Sequence, residues 1–168
     1  PVVLVISAGS ALDLSWADAH VAAIIDSFYP GARGGKAVAE AIFGDFSPSG
    51  KLPVTFYQGT ENLPEFTDYD MSDRTYRYTD KNVLYPFGYG LHYGTIRYEN
   101  AQISCAQCSV RDAVDVSVDV INESSYTIHE SVQAYIQHEE ADAYEPGYQL
   151  KGIQTVTLQP KETKRVTI

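Results

Sequence analysis

The chain has 168 residues and is acidic, with 22 Asp and Glu residues against 12 Lys and Arg and a formal net charge of −10. An acidic surface repels phosphate backbones and anionic lipids, which argues against nucleic acid and membranes as partners. No apolar run approaches the roughly 20 residues that a membrane-spanning helix needs. The length allows one domain or two small ones.

The two cysteines, Cys105 and Cys108, are separated by two residues. Such a pair can be a redox centre, but redox pairs lie at the start of a helix, and no helical pattern follows here. A zinc site would need two more ligands, and His92, His129 and His138 lack ligand spacing. We therefore expect two separate thiols without a functional role, and no metal site.

The first third of the chain has the pattern of an α/β domain. Residues 2–6 form a continuous β-branched run, which predicts a strand buried on both faces. Residues 15–18 favour a short helical turn capped by Ser15. Residues 21–28 fit helix or strand by periodicity alone, and the Tyr-Pro-Gly that follows favours a buried strand. Because the chain opens inside a strand pattern, we expect further sequence upstream, and any targeting signal with it.

A glycine-rich turn at residues 31–35 precedes a helical pattern over residues 36–43, which Gly44 is placed to end. Residues 52–56 predict another strand, so the order strand, turn, helix, strand indicates a βαβ-type unit. A phosphate-binding loop is the less favoured interpretation, because Ala37 follows Lys36 where that motif needs Ser or Thr. The glycines are better explained by close packing of helix and strand.

Residues 57–94 show no period and are rich in tyrosine, glycine, proline and acidic residues, which predicts an ordered, aromatic-rich loop. Five of its acidic residues lie close together, at Glu61, Glu65, Asp68, Asp70 and Asp73. A pair of carboxylates could perform general acid–base chemistry. We instead expect these carboxylates to be solvated or paired with Arg74 and Arg77.

The second half predicts a β-sandwich. Residues 113–121 alternate almost strictly, with four valines on one face and Asp115, Ser117 and Asp119 on the other. Residues 132–137, 153–158 and 165–168 show similar strand patterns. The chain stops inside the last strand pattern, so we expect this domain to be incomplete. We place the domain boundary between residues 95 and 96.

Several motifs occur in order along the chain. They are Tyr-Pro-Gly at 29–31, Gly-Gly at 34–35, AEAIFGDFSPSGKLPVTF at 39–56, RTYRY at 74–78 and LYPFGYGL at 84–91. Together they resemble the second, α/β sandwich domain of family-three glycoside hydrolases. VSVDVIN at 116–122, ESVQAY at 130–135 and the stretch from LKG at 150–152 to KRVT at 164–167 resemble the fibronectin type III-like, immunoglobulin-like domain that often follows it.

The resemblance implies a fold and a chemistry. It implies the end of the α/β domain over residues 1–95, then an incomplete β-sandwich over residues 96–168. It implies retaining hydrolysis of terminal, non-reducing β-D-glucosyl or β-D-xylosyl residues in an oligosaccharide or aryl glycoside, with no cofactor. The RTYRY form is most similar to bacterial β-xylosidases and β-glucosidases.

By the same resemblance, both catalytic carboxylates lie outside this chain. The nucleophilic aspartate belongs to an N-terminal barrel domain, and the acid/base glutamate of many members precedes the first strand here. We therefore assign no catalytic residue, and expect the chain alone to be inert, because a retaining mechanism needs both groups. Bacterial cytoplasm, periplasm and extracellular space all remain open as its location.

The resemblance implies that the aromatic-rich loop runs toward the sugar pocket that this domain forms with the barrel. Aromatic faces and planar guanidinium groups suit pyranose rings and their hydroxyls, so the candidates for lining or supporting that pocket are Asp68, Tyr69, Arg74 and Tyr76. We expect residues 85–91 to form a packed corner, and Trp16 to lie in the core or a domain contact. The alternative function is a non-catalytic carbohydrate-binding or structural module.

Overall fold

The computed structural model describes residues 1–61, 63–109, 111–139 and 145–168. The chain divides into two compact units. The first unit comprises Pro1–Asp45, Lys51–Tyr89 and Gln137–Tyr148, and the second comprises Phe46–Gly50, Gly90–Ile136 and Gln149–Ile168. In the described ranges, no helix has the length and apolar character needed to cross a membrane.

The first unit opens with two parallel strands joined by a helix. Strand β1 (Val3–Ile6) pairs in register with β2 (Ala23–Asp26), and α1 (Ser15–His20) connects them. The ambiguous segment is therefore a strand, as predicted. The expected burial of β1 is found on one face only within this chain, since successive side chains of the strand point to opposite faces. Ile6 is buried in the core with Leu14 and Phe56, whereas Val3 and Val5 on the other face are about two-fifths exposed.

Helix α1 begins without the predicted serine cap. Ser15 is the first helical residue, and no side chain caps the helix at Leu14. Instead, the Asp13 carboxylate accepts hydrogen bonds from the Ser15 backbone N–H (3.0 Å) and from its hydroxyl (2.6 Å). These bonds lower the pKa of Asp13, with the Ser15 hydroxyl as the largest cause.

The predicted helix after the glycines is confirmed. A 3₁₀ turn (Gly31–Arg33) leads into α2 (Gly34–Phe43). Gly44 follows with φ of 80°, a left-handed conformation in which glycine meets no Cβ penalty, and its N–H donates to the Ala41 carbonyl. Helix α2 therefore ends at a glycine for a steric reason.

The prediction of a strand at residues 52–56 is wrong except at Phe56, because the strand begins there. Strand β3 (Phe56–Tyr57) pairs antiparallel with β4 (Val83–Tyr85), so the parallel unit is β1–α1–β2 rather than one that includes residues 52–56. Leu52 exchanges backbone hydrogen bonds with Gly88 and Tyr89. Pro53 has no N–H to continue that ladder, which explains the interruption.

The segment after β3 is ordered but not wholly irregular. It holds a four-residue helix, α3 (Thr75–Tyr78), as well as β4. Neither element was predicted, because each is shorter than the window in which a period can be recognised.

The second unit has the predicted β-sandwich character. One sheet has the order β5 (Ile96–Ile103), β6 (Val116–Asn122) and β9 (Thr163–Thr167), and the other pairs β7 (Ile128–Gln137) with β8 (Tyr148–Leu158). Its buried cluster consists of Val120, Val132, Leu158 and Val166. Strand β5 was missed because nearly all its side chains are exposed, so no alternation marks it. The boundary between residues 95 and 96 stays a prediction.

A buried asparagine ties the turns of the second unit together. Asn122 is fully buried, and its Nδ2 donates to the carbonyls of Tyr126 (2.8 Å), Leu158 (3.2 Å) and Gln159 (3.0 Å). Its Oδ1 accepts from the Ser124 backbone N–H. The side chain is saturated with partners, as a buried amide requires.

The two cysteines form a disulfide, so the expectation of separate thiols is wrong. Cys105 and Cys108 lie in the connection between β5 and β6, with Cα atoms 6.2 Å apart. That spacing falls inside the roughly 4.4–6.8 Å that a disulfide spans. The turn through the two intervening residues brings the cysteine side chains together. Residue type alone did not show whether the two thiols would be bonded or free.

Candidate functional site

Arg74 organises the loop that carries the candidate residues. Its Nε donates to the Asp70 carbonyl (3.0 Å), and its Nη2 donates to the carbonyls of Glu65 (2.9 Å) and Asp68 (2.7 Å). We call residues 65–74 the Arg74 loop. The acidic side chains of the aromatic-rich loop were expected to be solvated or paired with arginine; those at positions 61, 65, 68, 70 and 73 are exposed, and Arg74 donates to backbone oxygens instead. A guanidinium suits this task because its donors lie in one rigid plane.

The carboxylates of the Arg74 loop hold its turns. Asp68 Oδ1 accepts from the Asp70 backbone N–H (2.9 Å), and Asp70 Oδ1 accepts from the backbone N–H (2.8 Å) and hydroxyl (2.7 Å) of Ser72. The Ser72 N–H is the largest cause of the lowered pKa of Asp70. Asp73 has φ of 57° and pairs with Lys81 Nζ at 2.9 Å. The loop is therefore ordered by its own acidic residues.

Two of the candidate residues face outward from this loop. Asp68 is exposed, and Tyr69 is 89% exposed. An exposed tyrosine ring offers an apolar face with a polar tip, and a carboxylate accepts hydrogen bonds from hydroxyls. The pair can therefore contact a polyhydroxylated ligand.

Helix α3 begins at a constrained residue directly after Arg74. The Thr75 backbone N–H donates to the Tyr57 phenolic oxygen at 2.9 Å. Thr75 has φ of 58°, which is strained for a β-branched residue. Tyr57 thus connects β3 to the start of α3.

Tyr76, the fourth candidate, is half-buried in an aromatic cluster. Its ring stacks on Phe87 at 4.1 Å between centroids, and meets Tyr148 edge-on at 5.3 Å. The Arg77 guanidinium lies 5.9 Å from the Tyr76 centroid. We call Tyr76, Phe87 and Tyr148 the Tyr76 cluster. Tyr148 was missed, because no local pattern links it to residues so distant in sequence.

The packed corner predicted at residues 85–91 is confirmed only in part, because Tyr89 is 37% and Leu91 72% exposed. Tyr85 stacks on Tyr89 at 5.2 Å, and Gly88 has φ of 80°. The Tyr85 hydroxyl donates to Asp18 Oδ1 at 2.5 Å. Burial, and then this bond, raises the pKa of Tyr85.

Trp16 does not lie in the core. It is 70% exposed and stacks on His20 at 4.5 Å. Helix α1 instead buries Ala17, and the preceding Leu14 enters the core. A short helix buries only one face, and Trp16 lies on the other.

A polar cleft of about 230 Å³ lies in the first unit. Its lining residues are Tyr57, Gly59, Glu61, Leu63, Pro64, Asp73, Thr79, Lys81 and Asn82. The Lys81–Asp73 ion pair borders it. Across the described part of the chain, no group of three or more His, Cys, Asp or Glu side chains could hold a metal ion.

Comparison with known families decides the assignment. The sequence profile of the glycosyl hydrolase family 3 C-terminal domain matches residues 1–93, and that of the fibronectin type III-like domain matches residues 130–168. This chain belongs to glycosyl hydrolase family 3. The α/β fold of the first unit and the β-sandwich fold of the second agree with these two matches.

Individual members of family 3 match nearly the whole chain. A xylan 1,4-β-xylosidase of Xylanibacter ruminicola is 38% identical, over 96% of this chain and 18% of its own length. A periplasmic β-glucosidase of Salmonella typhimurium is 35% identical, over 99% of this chain and 23% of its own. The chain thus spans about a fifth of the length of these relatives.

Solved structures of family 3 show the same architecture. A β-glucosidase from Erythrobacter marinus is 37% identical and superposes with a TM-score of 0.82, covering 99% of this chain and 22% of that one. The structural similarity to this β-glucosidase covers both domains of the chain.

Proposed function

We propose that this chain is part of a retaining glycoside hydrolase that removes terminal, non-reducing β-D-glucosyl or β-D-xylosyl residues. The observation that carries the proposal is the similarity of at least 96% of the chain to both a β-xylosidase and a β-glucosidase. The substrate would be a β-linked oligosaccharide or an aryl glycoside. The reaction needs no metal or cofactor, because two carboxylates about 5–5.5 Å apart perform it.

The two reacting carboxylates belong, in this proposal, to parts of the protein outside the chain, including an N-terminal barrel. One carboxylate attacks the anomeric carbon, and the other protonates the leaving oxygen and later activates water. This chain contributes a wall of the sugar site. Asp68 and Tyr69 contact the sugar, whereas Arg74 and Tyr76 hold the backbone that presents them.

The geometry of the Arg74 loop supports this division of roles. The exposed side chains of Asp68 and Tyr69 are available to a ligand, while the Arg74 guanidinium is occupied by three carbonyls. Preorganised binding groups lower the entropic cost of holding a ligand. A loop fixed at several backbone points fits that requirement.

The experiment is a hydrolysis assay on the full-length protein that carries this chain. We expect release of p-nitrophenol from the β-glucoside or the β-xyloside, and NMR of the first sugar formed should show the β-anomer. The 168-residue chain alone should be inactive. Absence of hydrolysis by the full-length protein, or formation of the α-anomer first, would overturn the proposal; sugar binding without hydrolysis would favour a carbohydrate-binding module.

A further inference from the structure

Residues from the fibronectin type III-like match pack against helix α3. Gly147 donates its backbone N–H to the Arg77 carbonyl at 2.7 Å, and Tyr148 meets the Tyr76 ring edge-on. Both residues lie inside the 130–168 match, yet Gln137–Tyr148 is part of the first compact unit. Helix α3 thus receives one contact from Gly147, which lies directly before β8, and one from Tyr148, the first residue of β8.

Helix α3 needs such contacts because it has only four residues. A single turn is unstable alone, since nucleation costs more than its few hydrogen bonds return. Its last carbonyls also lack partners within the helix. The Gly147 N–H satisfies one of them, at Arg77, while Tyr148 and Phe87 enclose the Tyr76 ring.

Tyr148 is well placed to form this contact. It is the first residue of β8, so its backbone belongs to a strand rather than to a free loop. Its side chain is half-buried, and desolvation is the largest cause of its raised pKa, followed by Tyr76 and Asp80. The Tyr148 ring is therefore partly buried where it meets Tyr76 of α3.

Movement of α3 would reach the Arg74 loop directly. Arg74 immediately precedes Thr75, the first residue of α3. Its guanidinium holds the carbonyls of Glu65, Asp68 and Asp70, so a shift of α3 displaces the anchor of the loop. Asp68 and Tyr69 would then leave their ordered positions.

We infer that Tyr148 is a positioning residue for the sugar-contacting loop and acts on it through Tyr76 and α3. The expected change in KM rests on the proposed function, whereas the expected change in the order of the Arg74 loop does not. In this inference, the contact of Tyr148 with Tyr76 sets the fraction of the protein in which the loop is held ready for sugar. A smaller ready fraction raises the apparent dissociation constant in proportion.

The first test is kinetic, on the full-length protein with a p-nitrophenyl β-glycoside that it hydrolyses. Tyr148→Ala should raise KM by about 2- to 10-fold, the range that corresponds to loss of one aromatic pair, while kcat changes much less. Tyr148→Phe should restore KM, because the edge contact needs the ring and not the hydroxyl. Tyr135→Ala, on β7, is the matched control and should leave KM unchanged.

The second test does not depend on activity. Hydrogen–deuterium exchange of the full-length protein should show faster exchange over residues 65–79 in Tyr148→Ala, and wild-type rates in Tyr148→Phe and Tyr135→Ala. Faster exchange in a protein that hydrolyses no glycoside would sink the proposed function and leave the positioning role standing. Unchanged exchange and unchanged KM in an active Tyr148→Ala protein would overturn the positioning role.

Discussion

The backbone N–H of Thr75 and the phenolic oxygen of Tyr57 are joined by a hydrogen bond of 2.9 Å. This bond connects β3 to the first residue of α3, across the segment that bears Asp68 and Tyr69. Thr75 has a strained φ of 58°, and such a conformation persists only where its surroundings hold it. Tyr57 is one of the residues that hold it.

Tyr57→Phe tests that bond with the smallest possible change. Loss of one hydrogen bond should lower the free energy of unfolding by about 0.5–1.5 kcal/mol, measured by urea denaturation. Tyr29→Phe is the matched control, because the Tyr29 ring is 84% exposed, and its effect should stay within about 0.5 kcal/mol. Equal stabilities for the two variants would show that the Tyr57 hydroxyl does not support Thr75.

Arg74→Lys separates the charge of Arg74 from its geometry. A lysine ammonium is a compact point charge and cannot reproduce the planar fork that reaches three carbonyls. In the full-length protein we expect KM for a β-glycoside to rise about tenfold, which corresponds to about 1.4 kcal/mol, and more in Arg74→Ala. Arg33→Lys, in the 3₁₀ turn, is the control. Unchanged kinetics with an unchanged melting temperature in Arg74→Ala would contradict the role.

Asn122→Asp should damage the second unit severely. The carboxylate loses the amide donors that serve three carbonyls and places a buried charge against them. We expect a loss of about 3–5 kcal/mol of unfolding free energy, visible as a large fall in the urea midpoint. Gln154→Glu makes the same chemical change at an exposed position of β8 and should be nearly silent. Similar losses of stability in both variants would show that the hydrogen bonds of Asn122 do not hold the turns of the second unit together.

Asp119 should make stability depend on pH on the acid side. Its carboxylate accepts from Asn100 Nδ2 (2.8 Å), the largest cause of its lowered pKa, and from Arg165 Nη1 (3.0 Å). Because the folded pKa lies below the ordinary value of 3.8, this contribution is present above that value and is lost as pH falls through the folded pKa. Asp119→Asn should flatten the decline in urea midpoint there; an unaltered decline would refute the assignment.

The Cys105–Cys108 disulfide predicts a simple thiol count. The 168-residue chain, denatured but not reduced, should react with no equivalents of a thiol reagent, and after reduction with two. Closing so short a loop removes little chain entropy, so Cys108→Ser should cost about 2 kcal/mol. Two reactive thiols in freshly purified, unreduced protein would show that the pair is not bonded.

The sequence pattern was enough to predict those helices and strands whose own side chains show a hydrophobic period or a terminating residue. The apolar run of β1, the glycine-terminated α2 and the alternating valines of β6 each show a period or a stop residue within a few positions. The ordered motifs likewise indicated the family before any contact was known. Local backbone preference and amphipathicity depend on neighbouring residues, which the sequence displays directly.

Only the tertiary structure decided the arrangement of the candidate site. The sequence named Asp68, Tyr69, Arg74 and Tyr76, but it could not show that Arg74 binds carbonyls or that Tyr148 encloses Tyr76. Carbonyl oxygens occur in every residue, so their partners leave no mark in residue type. The contact of Tyr76 with Tyr148 forms only when distant segments pack together, because packing depends on shape and on the path of the whole chain.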